Sequence, residues 1–340
     1  TMGDPAGVGP EVVVKALAGE SGAELATICR PFVLGDMGVL RDAARICGVT
    51  DPLRGVSSAD LATFQRPGID VLDLANVDRA DWRWGHLSAG SGRAAVEYIQ
   101  RAMDLTEHKV AAGIVTAPIN KEATSLAGYA ELGHMELFAK AYRAGNQATM
   151  LVSGTLRCVH LSTHYSLRDA LDRITRERVL QRIVTTHEDF RRWGMARPRI
   201  AVSGVNPHNG EGGLMGKEEI EVLVPAVADA RAQGIDAYGP FPADSVYVRA
   251  MHGEFDAVVA MFHDQGHIPV KVHGFEESVS VALGLPIVRT SVDHGTAFDI
   301  AGKGQADARS MAESIKVAAR ICAGTWLSQA PVPAGVSAGR

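Results

Sequence analysis

No stretch of the 340-residue chain approaches the roughly 20 consecutive apolar residues needed to cross a bilayer, so no membrane span is expected. A basic excess is missing as well. The net charge is −5, which argues against a dedicated nucleic-acid binder. The four cysteines, Cys29, Cys47, Cys158 and Cys322, form no CxxC pair, and no signal-peptide pattern precedes the first structured residues. Both features predict a reducing, cytoplasmic setting in which the thiols are core residues. The chain opens on Thr1, and "TMGDPAG" reads as the end of a strand whose beginning is absent; Thr1 is not taken as an N-terminal nucleophile. There is no internal repeat and no Walker A motif, and "GDPAGVGPE" lacks the third glycine of G-x-G-x-x-G, so a Rossmann site is unsupported.

The composition that remains, 46% hydrophobic and 21% charged, is that of a soluble globular protein, and the length suits two lobes or one large α/β domain. Short apolar, β-branched runs recur: "PFVLGD" at 31, "IDVLDL" at 69, "AGIVTA" at 112, "TMLVSG" at 149, "CVHLST" at 158, "IAVSGV" at 200 and "DAVVAMF" at 256. Between them lie segments with apolar residues at three- and four-residue spacing, starting at Ser91, Ser166 and Lys217, the last closing at Gly234 as a helix C-cap would. Alternation of this kind predicts an α/β fold with crossover helices. The tail after Leu327 is expected to be frayed.

Polar punctuation follows the strand-like runs. "TAPINKE", "THYSLRD", "NPHNGEGGLMG" and "HDQGHIP" each begin where an apolar run ends. Ligands of open α/β sheets bind beyond the carboxyl ends of strands, so these segments are expected to converge on one crevice. Three of them offer a histidine, His164, His208 and His263, and three imidazoles with an open position form a catalytic metal site, although dispersed histidines also serve as caps and loop residues. Asp264 could orient the neighbouring imidazole, accept a proton or cap a turn. Arg289 closes the run "GLPIVRT" and is a candidate for binding a carboxylate or phosphate, or for a structural aspartate. Lys271 is the second candidate cation. For a nucleotide the best candidate is "SVDHGTAFDIAGKGQAD", from Ser291 to Asp307, whose glycines let backbone approach a ligand and whose handles are Asp293, Asp299 and Lys303.

Taken together, these motifs resemble the 4-hydroxythreonine-4-phosphate dehydrogenase family of vitamin B6 synthesis. The likeness runs from "MGDPAGVGPE" at 2–11 through "NKEA", "NPHNGEGGLMG", "PADSV" and "FHDQGHIPVK" to "GLPIVRTSVDHGTAFDIAGKG" at 284–304. "HGTAFDIAGKG" also looks like the cofactor loop of isopropylmalate and isocitrate dehydrogenases. The resemblance implies a two-domain α/β/α fold of the isocitrate/isopropylmalate-dehydrogenase type with the active site in the interdomain cleft. The expected domains are 1–130 with about 285–330, then about 131–284, with 328–340 as a flexible tail.

The resemblance further implies NAD-dependent oxidation of a secondary alcohol beta to a carboxylate, followed by decarboxylation, in a homodimer that shares its active sites. A divalent metal, zinc, cobalt or magnesium, falls to His164, His208 and His263. Substrate contacts fall to His134, Met135, Lys271, Ser280 and Arg289. Cofactor contacts fall to Ser291, Asp293, His294, Gly295, Ala297 and Asp299, and the proton acceptor is sought among Asp244, Asp264 and Lys271. Three positions depart from the vitamin B6 enzymes: Met135 replaces a threonine, Ser280 an asparagine, and His267 a common leucine. "HDQGHIPVK" looks closer to the paralogous branch that oxidises 4-phosphoerythronate and 4-phosphothreonate. Other readings are a dehydrogenase of a carboxylated cis-dihydrodiol, a metal-dependent hydrolase, and a non-catalytic binding protein.

Overall fold

The structure, a computed structural model, describes residues 1–326; the tail expected to fray, 328–340, lies outside them. Eleven strands occur among the described residues. In chain order they are β1 Val33–Gly35, β2 Leu53–Val56, β3 Ile69–Asp73, β4 Gly113–Thr116, β5 Ala148–Ser153, β6 Leu156–His160, β7 Ile200–Ser203, β8 Ala237–Phe241, β9 Ala257–Ala260, β10 Val279–Leu283 and β11 Val288–Val292. The chain forms two compact units. The first comprises 1–144 and 285–322, and the second 145–284 with 323–326. The boundary expected near 130 falls at Ala144, because the helix His134–Tyr142 packs with the first unit.

In the first unit β1, β3 and β2 form a parallel three-stranded sheet, and β4 pairs in parallel with β11 so that Ser291 lies opposite Thr116. Asn120 caps the helix that follows β4, its side-chain oxygen accepting from the amides of Glu122 and Ala123.

In the second unit the order is β10, β5, β6, β9, β7, β8; β5 runs antiparallel to both β10 and β6, and the remaining pairs are parallel. Its central strands are apolar on both faces, as strands covered by helices on both sides must be. Ile200, Val202 and Val259 face one cluster with Val179, Ile183 and Leu223. Ala201 and Val258 face the other with Val246, Tyr247 and Val270. No helix among the described residues is long and apolar enough to cross a membrane.

Three elements differ from the sequence expectation. The helical pattern from Ser166 is two helices, Leu167–Asp172 and Arg176–Arg192, because the Thr175 hydroxyl accepts from the Arg178 amide and starts a new helix. The helix expected from Lys217 opens on a wide π turn over Glu219–Leu223 ahead of Pro225, which has no amide hydrogen to donate. The segment "HDQGHIP" is the start of a helix, His263–His273, rather than a loop. Of the cysteines only Cys158 is fully buried and Cys322 is exposed, so a uniform core role does not hold.

One buried group of the second unit titrates in a measurable way. His160, on β6, is buried beneath the helix His263–His273, where a side chain at Gly266 would strike its Nε2; its Nδ1 lies 3.2 Å from the Thr149 carbonyl. Burial, reinforced by the charge His267 can carry, pushes its pKa down to about 3. A histidine kept neutral when folded but protonated when unfolded below about pH 6.5 loses stability as pH falls, by ~2 kcal/mol at about pH 5. The thermal midpoint of the wild type should therefore fall more steeply between about pH 6.5 and 5 than that of His160→Leu. Parallel profiles for the two proteins would refute the assignment.

Candidate active site

Each unit carries its own set of candidate side chains. In the second unit the set sits at the exits of three parallel strands. Beyond β6, the amide of Leu161 donates to the Ala260 carbonyl and the Ser162 hydroxyl to the Met261 carbonyl, which ties the segment leading to His164 to the exit of β9. Gln265 ties β9 to β7. Its Oε1 accepts from the Met261 amide and its Nε2 donates to the Gly204 carbonyl, both at 2.7 Å.

Beyond β7 the chain turns through five consecutive left-handed residues, from His208 (φ 52°) to Gly212 (φ 65°). His208, Asn209 and Glu211 are non-glycine residues in that region, a conformation that persists only where the surroundings hold it. Glu219 does much of the holding. Its buried carboxylate accepts from the amides of Val205 and Asn206, each at 2.7 Å, and from the Asn206 side chain, while Asn209 donates to the Pro240 carbonyl.

The imidazoles of His164 and His263 come together, their ring centroids 6.2 Å apart. His263 places Nδ1 2.6 Å from an Asp264 carboxylate oxygen, and His208 places Nδ1 3.0 Å from Glu211. A carboxylate on Nδ1 fixes the tautomer with Nε2 as the lone-pair nitrogen, which is how metal-ligating histidines are held. The donor chemistry thus fits a divalent cation. Among the described residues, however, no group of three or more His, Cys, Asp or Glu side chains is gathered closely enough to hold an ion within one chain.

Other candidates of this unit are placed as follows. Lys271 stands two turns beyond Asp264 on the same face of the helix, its Nζ 4.9 Å from the centre of the Phe275 ring. His267 stacks on His263 with centroids 3.6 Å apart. Asp244 is exposed in the first turn of the helix Ala243–Met251, and Ser280 lies on β10 opposite Leu151.

In the first unit Arg289 is 3% exposed and pairs with no carboxylate among the described residues. Its Nη2 donates to Thr116 Oγ1 at 2.6 Å, its Nη1 lies 3.9 Å from Met135 Sδ, and its Nε has no partner. Burial lowers the guanidinium pKa to about 9. His134 Nε2 is also buried without a partner, and burial followed by the nearby Arg289 charge holds the imidazole well below its ordinary range. The open donors of Arg289 suit an anion, whereas the neutral His134, bonded through its other ring nitrogen to the backbone of Ala117, offers Nε2 as an acceptor.

The loop after β11 is clamped by the helix Gly9–Leu17. Glu11 accepts from the Gly302 amide at 2.5 Å, Lys15 donates to the carbonyls of Gly304 and Ala306, and the Val8 amide donates to the Thr296 carbonyl. Gly295 borders open space, His294 and Asp299 are exposed, Asp293 is half-buried, and Ala297 takes a φ of 41°. Ser291 is different. It is buried, and its hydroxyl donates to the Thr116 carbonyl, so it supports the strand pair from within.

Sequence reasoning missed Thr116, Glu219, Gln265, Glu11 and Lys15. Gln265 was detectable as an amide inside a histidine-rich strand exit. Glu219 was hidden in a helical pattern where an acidic residue ordinarily faces water.

Residues 27–318 match the family described as pyridoxal phosphate biosynthetic protein PdxA. The chain is 47% identical to D-threonate 4-phosphate dehydrogenase of Cupriavidus necator over 94% of its own length and 96% of the relative's. It shares 43% identity and a TM-score of 0.86 with the crystal structure of 4-hydroxythreonine-4-phosphate dehydrogenase from Klebsiella pneumoniae, covering 94% of this chain and 98% of that one. A terephthalate 1,2-cis-dihydrodiol dehydrogenase from Burkholderia xenovorans is similar at 31% identity and a TM-score of 0.63, covering 94% and 96%. These relatives are dehydrogenases acting on CH–OH groups, and a protein of this fold and likeness is an oxidoreductase that uses a nucleotide cofactor on a small molecule. More particularly, the chain belongs to the PdxA family.

Proposed function

We propose that the chain oxidises the 3-hydroxyl of a phosphorylated four-carbon hydroxy acid, 4-phospho-D-threonate or 4-phospho-D-erythronate with 4-hydroxythreonine 4-phosphate as the related substrate, and that carbon dioxide is then lost. NAD accepts the hydride. The observation that carries the reading is Arg289, a buried guanidinium with no internal anion, beside the open Nε2 of His134. Open donors on a buried guanidinium are completed by a carboxylate or phosphate that binds it bidentately. The likeness to D-threonate 4-phosphate dehydrogenase narrows the anion to an acid phosphate.

The chain's own residues then divide the work. Arg289 binds the substrate anion and His134 accepts at Nε2 from a substrate hydroxyl, which holds the hydroxyl-bearing carbon in one pose for hydride transfer. Met135 presents a thioether rather than a hydroxyl beside Arg289, and Ser280 and Lys271 are the candidates for substrate contact in the second unit. Asp293, His294, Gly295, Ala297 and Asp299 form the cofactor loop, with Ser291 supporting it from the strand. His164, His208 and His263 hold the divalent cation, zinc or cobalt being better suited to imidazole than magnesium. When bound, that cation supplies Lewis-acid polarisation of the substrate oxygen. Asp264 orients His263, which leaves Asp244 and Lys271 as the groups to take up the hydroxyl proton.

The set of three histidines, incomplete within one chain, supports a homodimer whose copies complete each other's sites. Exposed apolar side chains of the second unit support it as well, with Leu214 at 87% and Val272 at 82% exposure, joined by Ile268 and Phe275. The cytoplasm is the setting that NAD chemistry and unpaired thiols favour.

The test follows NADH formation with each of the three acid phosphates in the presence of divalent metal, together with the molar mass in solution. NADH from one of the phosphates in a dimer is the expected result. Silence with all three in folded, metal-loaded protein would refute the phosphate reading and favour a carboxylated cis-dihydrodiol, the substrate class of the 31%-identical relative.

A further inference from the structure

We infer that Thr116 is a positioning residue that aims Arg289 at the substrate anion, an inference that rests on the reading of Arg289 as an anion-binding group. Thr116 is the last residue of β4, fully buried, and lies opposite Ser291 in the parallel pair with β11. Arg289 leaves β11 two residues earlier. Its guanidinium has five donors, and the Thr116 hydroxyl is the only oxygen of the described residues that accepts from one of them, at 2.6 Å.

The remaining neighbours cannot set its direction. Met135 offers a weak sulfur acceptor at 3.9 Å, and Phe138 offers a ring face 5.8 Å from the guanidinium carbon. A long side chain with one strong hydrogen bond is fixed by that bond. Anchoring Nη2 on Thr116 leaves Nε without a protein partner and Nη1 with only the thioether, so two donors stay open for an anion.

Thr116 is itself held. Its carbonyl accepts from the Ser291 hydroxyl at 3.1 Å, and its strand position is fixed by the pairing of β4 with β11. The arrangement resembles a second layer of support, in which a neutral hydroxyl orients a cation without competing with the anion for its charge. An aspartate at 116 would neutralise Arg289 and abolish the site; a threonine aims it and leaves the charge available.

Thr116→Val keeps the shape and removes the acceptor, and Thr116→Ser keeps the acceptor. With 4-phospho-D-threonate and NAD, Thr116→Val is expected to raise KM about ten-fold with kcat changed by less than about three-fold, because a charge-assisted hydrogen bond that orients a binding group is lost. Thr116→Ser is expected to restore the wild-type KM. Thr116→Ala replaces the valine variant if circular dichroism finds the latter unfolded. An unchanged KM in the valine variant, or equal damage in the serine variant, would overturn the proposal.

Should the wild type form no NADH with any of the acid phosphates, the functional reading has failed and the positioning role is read with inorganic phosphate as the probe. Phosphate should then raise the melting temperature of the wild type and of Thr116→Ser but not that of Thr116→Val. A phosphate response equal in all three, or absent from the wild type, would count against Thr116.

Discussion

Replacing Arg289 by methionine is expected to lower kcat/KM for the acid phosphate by ~10³-fold while raising the stability of the fold by ~2 kcal/mol. The two effects have one cause. Arg289 is buried to 3% exposure with a single strong hydrogen bond and no counter-charge, and its pKa of about 9 against an ordinary value above 12 measures how poorly the site tolerates the cation.

The sign is fixed by that direction. The folded state holds the proton less tightly than the unfolded state, so the penalty is fully present below about pH 9 and is relieved only as pH rises from there toward the unfolded value. At neutral pH the methionine variant is therefore relieved of the whole penalty. Its side chain has similar length and is apolar, and it meets Met135 and Phe138 where the guanidinium was. What it loses is the anion's partner, which shows as a higher KM and a slower chemical step once the substrate is no longer fixed. Paired thermal unfolding and steady-state kinetics on one preparation decide the matter. A variant less stable than the wild type would mean that Arg289 is structural, and undiminished turnover would remove it from the site.

Removal of the divalent metal is expected to have the second large effect. Dialysis against a chelator should abolish NADH formation, zinc or cobalt should restore it, and His208→Ala should retain neither metal nor activity. Direct metal analysis of the purified proteins provides a readout independent of turnover. Within this prediction lies a sharper one. Asp264 and Glu211 each engage the Nδ1 of a candidate ligand, at 2.6 and 3.0 Å. Asp264→Asn and Glu211→Gln should weaken metal affinity by ~10- to 100-fold without eliminating it, the usual penalty for loosening an imidazole from its orienting carboxylate. Chelator competition measures this. If both variants bind metal as the wild type does, Glu211 serves only the strained turn at 208–212 and Asp264 only the helix start.

Met135 borders the proposed anion-binding group. Met135 Sδ lies against Arg289, so a hydroxyl at 135 would compete with the substrate for the guanidinium or add a donor to it.

Much of this was legible in the sequence, for a physical reason that also marks its limit. Strand and helix type follow from local periodicity, and the runs at 31, 69, 112, 149, 158, 200 and 256 are all strands. The polar groups at the exit of β9 were legible too, because the apolar run ends in His263 and Asp264 where the strand ends. Long motifs carried the family, its fold and its oxidoreductase chemistry.

Quantities that depend on distant parts of the chain were not available that way. The division of the helix at Thr175 depends on one hydroxyl finding one amide. The burial of Cys158 and the exposure of Cys322 depend on which element covers each. Glu219 reads as a surface acid until the exit of β7 folds onto it. Above all, the state of Arg289 is set by its non-local neighbours. Local spacing placed it at the end of a strand, whereas it is the second residue of β11, and only the pairing of β4 with β11 brings Thr116 beneath its Nη2 and leaves its Nε without a partner. The sequence by itself determined the elements, the order of the motifs and the residue types available for chemistry, because these follow from backbone period and side-chain identity. Tertiary structure decided which of those residues are buried, paired or left open, because desolvation and hydrogen bonding depend on neighbours that the linear order does not bring together.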